Sequence, residues 1–183
     1  SPVSSLQSNG AFCKFTFNAW GGKYKDIARD NGVVSRVSYL KKFRRIDVPV
    51  VLEGGSIDVN GRGACLTTEQ CLLNPNRNPN LSKGRIEAIL NKNLGIKKMI
   101  WLKDGIEGDD TDGHVDDISR FVGLRTILTA VEADRQDANH ARLALNLDRL
   151  RQATDQNGKK FRVVELPMPG RVETAGKRPF DAA

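Results

Sequence analysis

Between Ala11 and Phe17 the chain alternates, with Cys13, Phe15 and Phe17 on one side and Lys14 and Thr16 on the other, the period of two that marks a strand. Trp20-Gly21-Gly22 closes it. From Asp30 to Lys42 the spacing changes: Val33, Val37 and Leu40 recur at helical intervals. Ile46–Leu52, β-branched with Pro49 near its start, then returns to strand. This first stretch reads as strand, helix, strand.

The pattern sharpens after Leu52. Ile57-Asp58-Val59 and Ala64–Thr68 flank Asn60-Gly61-Arg62-Gly63, a glycine-rich turn that predicts a β-hairpin. Leu81–Leu94 then places Ile86, Ile89, Leu90 and Leu94 on one helical face, with Ser82 suited to the N-cap and Gly95 to the stop. Met99-Ile100-Trp101-Leu102 is a short buried strand. The same ββαβ order returns with strands at Ile118–Val122 and Thr126–Val131 around Gly123, a helix over Ala141–Ala153 aligned by Leu143, Leu147 and Leu150, and a strand at Phe161–Leu166. Sliding one unit over the other by roughly 60 residues brings Leu66-Thr67-Thr68 onto Leu128-Thr129-Ala130, as an internal repeat should. The chain is therefore predicted to be α/β, with a partial unit over residues 11–52 and ββαβ units over 52–102 and 112–166. Pro167, Pro169 and Gly170 end the last strand, and residues 167–183 read as a loose tail. In both complete units a glycine-rich acidic segment precedes the hairpin, Glu53-Gly54-Gly55 in one and Asp112-Gly113-His114 in the other. Units packed about an axis would bring those segments together.

Composition narrows the class. With 183 residues, 39% of them hydrophobic and 28% charged, the chain can bury a real core, which excludes global disorder. No apolar run approaches a membrane span, and Ser1–Gly10 lacks the features of a signal peptide, so the expectation is a soluble, cytoplasmic protein. Cys13, Cys65 and Cys71 are an odd set without C-x-x-C spacing and read as reduced thiols. The formal charge of +7 invites a nucleic-acid reading, but the basic clusters Lys41-Lys42-Phe43-Arg44-Arg45, Lys97-Lys98 and Lys159-Lys160 are far apart. Only Phe43 offers a stacking ring among them, and Asp109–Asp117 would repel phosphates.

That acidic run is the first candidate for chemistry. A calcium loop is excluded, because with Gly113 at the sixth position the first and twelfth would be Gly108 and Ser119, neither a ligand for a hard cation. One histidine with no second nearby is also a weak transition-metal signature, and His140 sits at a helix start, suited to surface or capping. His114 and Asp116, two apart, point to the same side of an extended segment. The carboxylate suits a planar, multiply donating cation and the imidazole can move protons near neutral pH. A turn histidine beside solvated aspartates has the same spacing. Glu53, at a strand end before two glycines, could orient His114 or be an exposed loop carboxylate. Leu72–Pro79, rich in Asn and Pro, reads as a structural loop.

Taken in order, Phe17-Asn18-Ala19-Trp20-Gly21-Gly22-Lys23-Tyr24, Leu52-Glu53-Gly54-Gly55-Ser56, Thr67–Asn74, Asn76-Arg77-Asn78-Pro79, and Trp101-Leu102 through Asp110-Thr111-Asp112-Gly113-His114-Val115-Asp116 resemble the agmatine deiminase family. This is the group also called Porphyromonas-type peptidyl-arginine deiminases, and the resemblance covers roughly Phe12–Gly170. It implies a guanidine-modifying hydrolase of the pentein type, an α/β propeller of five ββαβ units, of which about two and a half are here. It further implies that a cysteine attacks the guanidinium carbon, ammonia leaves, and the thiouronium intermediate is hydrolysed, with no metal or cofactor. In that family the product from agmatine is N-carbamoylputrescine, for putrescine synthesis. Carried over by motif, His114 is the general acid and then the base, Glu53 positions it and the substrate, and Asp116 holds the guanidinium. Asp110 matches an acidic position, often glutamate, that meets the distal part of the substrate.

Two family elements do not appear in this sequence: the Arg-Asp segment that supplies a second guanidinium-binding aspartate, and the Gly-rich segment ending in His-Cys that supplies the nucleophile. Cys13, Cys65 and Cys71 match neither and read as small buried hydrophobes. The expected partner is a small cationic guanidinium substrate, agmatine or an arginine side chain, with no membrane and no nucleic acid. Association with a second copy stays open. The alternatives are peptidyl-arginine deiminase activity and a non-catalytic remnant that binds anionic partners.

Overall fold

The computed structural model describes residues 11–41 and 43–170. The expected tail from Arg171 onward, Ser1–Gly10, Lys42 and the side chains of Ser38, Leu40 and Lys41 lie outside that description. Strands β1 (Ala11–Thr16) and β2 (Arg44–Val51) pair in parallel, with Cys13 opposite Ile46. A parallel pair needs a long crossover. Here it consists of a single turn, α1 (Ala19–Gly22), a 3-10 segment at Lys25–Gly32, and helix α2 (Val33–Lys41). The apolar stripe expected on that helix does not enter the core, since Val33 and Val37 are 50% and 47% exposed. Helical spacing fixes which residues share a face, but only a neighbour can bury that face.

The α1 turn is wound left-handed, with φ of +57° at Ala19, +51° at Trp20, +77° at Gly21 and +80° at Gly22. Its two non-glycine residues are each disfavoured by about 1–2 kcal/mol. Asn18 holds the turn: its Oδ1 accepts from Gly21 N at 2.9 Å, its carbonyl accepts from Gly22 N at 2.8 Å, and its Nδ2 donates to the Asn76 carbonyl at 2.8 Å. Trp20 packs edge-on against Phe17 and Tyr24.

Two units of one design follow. In the first, β3 (Ile57–Val59) pairs antiparallel with β4 (Ala64–Thr68), which pairs in parallel with β5 (Lys98–Leu102). Between β4 and β5 lie the short α3 (Glu69–Leu72) and the longer α4 (Lys83–Leu94). The second unit repeats this with β6 (Ser119–Gly123), β7 (Thr126–Val131), α5 (Ala138–Gln152) and β8 (Arg162–Pro167). Ser82 caps α4 through its hydroxyl, which accepts from Arg85 N, and Gly95 ends it in the left-handed conformation. Leu94 of the expected stripe is exposed. Helix α5 starts at Ala138 rather than Ala141, because the Asp137 carboxylate accepts from Asn139 N at 2.8 Å.

Each long helix wedges between its own sheet and the preceding one. Ile86 and Leu90 of α4 pack with Cys65 and Trp101 of their own sheet and with Phe15 and Leu52 near the first pair. Leu143 and Leu150 of α5 pack with Ile127 of their own sheet and with Leu66, Ile100 and Leu102 of the first unit. Asn146, buried within that apolar stripe, accepts from Lys103 N and donates to the Asp104 carbonyl, both at 2.7 Å. The second unit is thereby locked to the strand end from which the acidic loop departs. No helix among the described residues is long and apolar enough to cross a membrane.

Candidate active site

Glu53 leaves β2 in extended conformation and starts the 3-10 turn Gly54–Ser56, whose Ser56 hydroxyl donates to the Glu53 carbonyl at 2.7 Å. The loop carrying His114 is folded by Asp109, whose carboxylate accepts from Thr111 N at 2.7 Å, Gly113 N at 2.6 Å and His114 N at 3.1 Å. Gly113 has φ +85°, and a Cβ there would sit 2.6 Å from Gln70 Oε1 and 3.0 Å from Gly105 N, so only glycine fits. The two loops are tied by backbone, because Val115 N and Asp116 N both donate to the Gly55 carbonyl, at 3.1 and 3.3 Å. This brings the acidic glycine segments together although they are far apart in sequence.

His114 Nε2 lies 2.9 Å from Glu53 Oε2, and its Nδ1 lies 3.9 Å from Asp116 Oδ1. Glu53 and His114 are buried, whereas the Asp116 side chain is 32% exposed. Gly55 is the floor: a Cβ on it would stand 2.4 Å from His114 Nδ1 and 2.7 Å from Asp116 Oδ1. Glu53, Gly55, His114 and Asp116 line a cavity of about 450 Å³ whose apolar wall includes Phe17 and Trp20. Asp110 does not line it. Its carboxylate accepts from the Tyr24 hydroxyl, and its carbonyl accepts from Lys23 Nζ.

Behind Glu53 stands Arg77, whose side chain is 0% exposed and whose donors are all spent. Nε donates to Glu53 Oε1 at 2.7 Å and Nη2 to Glu53 Oε2 at 3.2 Å and the Thr111 carbonyl at 2.8 Å. Nη1 donates to Asp112 Oδ2 at 2.6 Å and Asn76 Oδ1 at 2.8 Å. Asp112 also accepts from Asn76 Nδ2 and Lys23 Nζ, which ties the left-handed turn to the cluster. Arg77, read from sequence as part of a structural loop, and Asp112, given no separate role there, are the residues that spacing missed. Arg77 was signalled only by the Asn76-Arg77-Asn78-Pro79 motif and Asp112 only by its place in the acidic run, since their partners lie far away along the chain.

Burial would push the Glu53 carboxyl up, but the hydrogen bonds from His114 and Arg77 and the Arg77 charge hold it below its ordinary value. Asp112 is likewise low, with burial overcome by Lys23, Asn76 and Arg77. Asp117, also at the cavity, goes the other way to about 6, raised by burial and then by the charges of Asp109 and Asp116. Glu53, Cys71 and His114 offer donors within 4.8 Å of one another. They do not suit a divalent ion, because Glu53 is already neutralised by the Arg77 fork and the Cys71 thiol is pushed up by burial and by the Glu53 charge. The Cys65 thiol is pushed up to about 12 by burial and by Asp58. Among the described residues no cysteine lines the cavity.

The model of the Porphyromonas-type peptidyl-arginine deiminases matches residues 2–182. The chain belongs to that family. It is similar to the agmatine deiminase of Pseudomonas fluorescens (strain SBW25), 42% identical over 175 residues that cover 90% of this chain and 48% of the relative. The agmatine deiminase of Medicago truncatula is 44% identical over 161 residues, 85% of this chain and 43% of that one. Among solved structures, the agmatine deiminase of C. jejuni with substrate bound superposes with a TM-score of 0.80 at 39% identity, covering 91% of this chain and 48% of that chain. The chain thus spans about half the length of the curated relatives it matches.

Proposed function

We propose that the cavity receives a guanidinium group and that the chain carries the proton-transfer half of an agmatine deiminase. The observation that carries this reading is the meeting of Glu53, His114 and Asp116 at one cavity. Asp116, half-open to solvent, offers a carboxylate to the N–H edge of the cation, and the Trp20 and Phe17 rings shield its face. In the reaction a thiolate adds to the guanidinium carbon, and His114 gives its proton to the departing nitrogen, which leaves as ammonia. The imidazole then takes a proton from water as the oxygen attacks the thiouronium carbon. Breaking the carbon–sulfur bond returns the thiolate, and the adduct's hydroxyl loses its proton to solvent, which leaves a neutral ureido product and a protonated His114 for the next turnover. The thiolate and a second carboxylate come from elsewhere in the complete protein. In this reading the units are blades of a five-bladed propeller, and the exposed Val122, Leu124 and Leu166 of the second unit mark the side on which another blade seats.

The test is ammonia release from agmatine by the complete protein that contains this chain. His114→Ala and Asp116→Asn are each expected to lower kcat/KM by about 100- to 10,000-fold. Unchanged turnover by either variant would overturn the reading. The chain alone is expected to release no ammonia above background.

A further inference from the structure

We propose that Arg77 is the positioning residue of this site: it holds Glu53 as an anion, and Glu53 in turn fixes which nitrogen of His114 faces the cavity. A carboxylate buried as Glu53 is would ordinarily take up a proton. A neutral Glu53 could donate its own O–H or accept, and either imidazole tautomer would then satisfy it. The Arg77 fork removes that freedom by bonding both Glu53 oxygens. An ionised carboxylate only accepts, so the nitrogen 2.9 Å from it, Nε2, must carry the hydrogen. Nδ1 is then the nitrogen left to take and give the proton, and it is the one beside Asp116 and over Gly55.

Arg77 itself cannot swing away, because its remaining donors are fixed by Asp112, Asn76 and the Thr111 carbonyl. Asp112 and Thr111 belong to the same loop as His114, so one guanidinium sets the spacing of both loops as well as the charge of Glu53. A lysine would keep the charge and lose the fork.

What Nδ1 does with its proton rests on the deiminase reading; the tautomer does not, and it is read without turnover. The experiment is nitrogen-15 NMR of the histidine rings in this chain, above the pH at which the imidazole is cationic. His140, whose Nδ1 lies 2.6 Å from the Glu132 carbonyl, serves as internal reference. Unaltered protein is expected to show His114 only as the Nε2–H form. Arg77→Met is expected to move the tautomer ratio about tenfold or more toward Nδ1–H, the scale a charge-assisted hydrogen bond supports, while His140 stays unchanged. Arg77→Lys is expected to keep Nε2–H. A folded Arg77→Met chain that keeps Nε2–H would overturn the proposal. So would Nδ1–H in the unaltered protein, a result that stands even if the methionine variant does not fold. Agmatine turnover by the complete protein that fails while the tautomer behaves as expected would remove the deiminase reading and leave this one standing.

Discussion

The two ββαβ units share strand order, pairing and helix placement, yet they differ in burial and in what their loops carry. All of β4 in the first unit is buried, because α4 covers one face of the sheet and the second unit covers the other. In the second unit β8 is exposed or half-buried, and Val122, Leu124 and Leu166 are each more than half exposed. The same sequence pattern therefore gives a sandwiched sheet in one place and a one-sided sheet in the other, because burial is decided by neighbours. The loops differ as well. The first unit inserts residues 69–82 between β4 and α4, and this insert brings Arg77 beneath Glu53, whereas the corresponding link after β7 is short and makes no buried ion pair among the described residues. The repeat is scaffold, and chemistry sits in the places where the repeat is broken.

The strongest way to break that contrast is to remove one charge from each unit. Glu53→Gln takes from buried Arg77 the carboxylate its fork holds, leaving Asp112 as the remaining ion partner, and is expected to cost about 3–5 kcal/mol of stability. Glu165→Gln, which loses a surface partner in Arg151, should cost under about 1 kcal/mol. Urea denaturation of both variants reads the difference, and equal costs would contradict the account. Next in size is the core. Leu66→Ala, in the fully buried strand, is expected to lose about 2–5 kcal/mol, against about 0.5 kcal/mol or less for exposed Leu166→Ala.

Glycines sharpen the comparison further. Gly55→Ala forces a methyl into His114 and Asp116 and is expected to destabilise by about 1–3 kcal/mol and to displace the His114 ring resonances. Gly123→Ala would meet Thr126 at an ordinary 3.7 Å and should change neither. Smallest is the response to pH, which has opposite signs at two carboxylates. Glu53 is held below 4.5, so its contribution is present above that pH and is lost as pH falls through its lower folded value. Asp117 is raised from 3.8 to about 6, so it favours the folded state below pH 3.8, and that contribution is lost as pH rises through 6. Asp117→Asn is accordingly expected to raise the Tm at pH 7 and to leave it nearly unchanged at pH 3.5. A lower Tm at pH 7 would show that the charged form is the one the fold prefers.

Local chemistry made much of this legible. The hairpin at Asn60–Gly63, the Ser82 cap, the Gly95 stop and the shared side of His114 and Asp116 are all set by residues within a few positions of one another. Glu53 meeting His114 was legible only because a repeat places like segments alike. Arg77 was not, since a buried arginine between Asn and Asn reads as a polar turn until the distant Glu53 and Asp112 arrive. Nor was the left-handed turn at Ala19 and Trp20, which the bonds from Asn18 to Asn76 and from Lys23 to Asp112 hold against local preference. Asn146 interrupts an apolar stripe for partners just past the end of β5, and the Val33 and Val37 stripe stays half exposed.

The central claim is that a cavity built across two repeats binds a guanidinium cation through Asp116 and His114, and the most direct measurement is NMR titration of this chain with agmatine. The expected result is saturable shifts confined to His114, Asp116 and the Trp20 ring, abolished in Asp116→Asn and retained in Glu165→Gln. Shifts that persist in Asp116→Asn, or that never appear at His114, would contradict it.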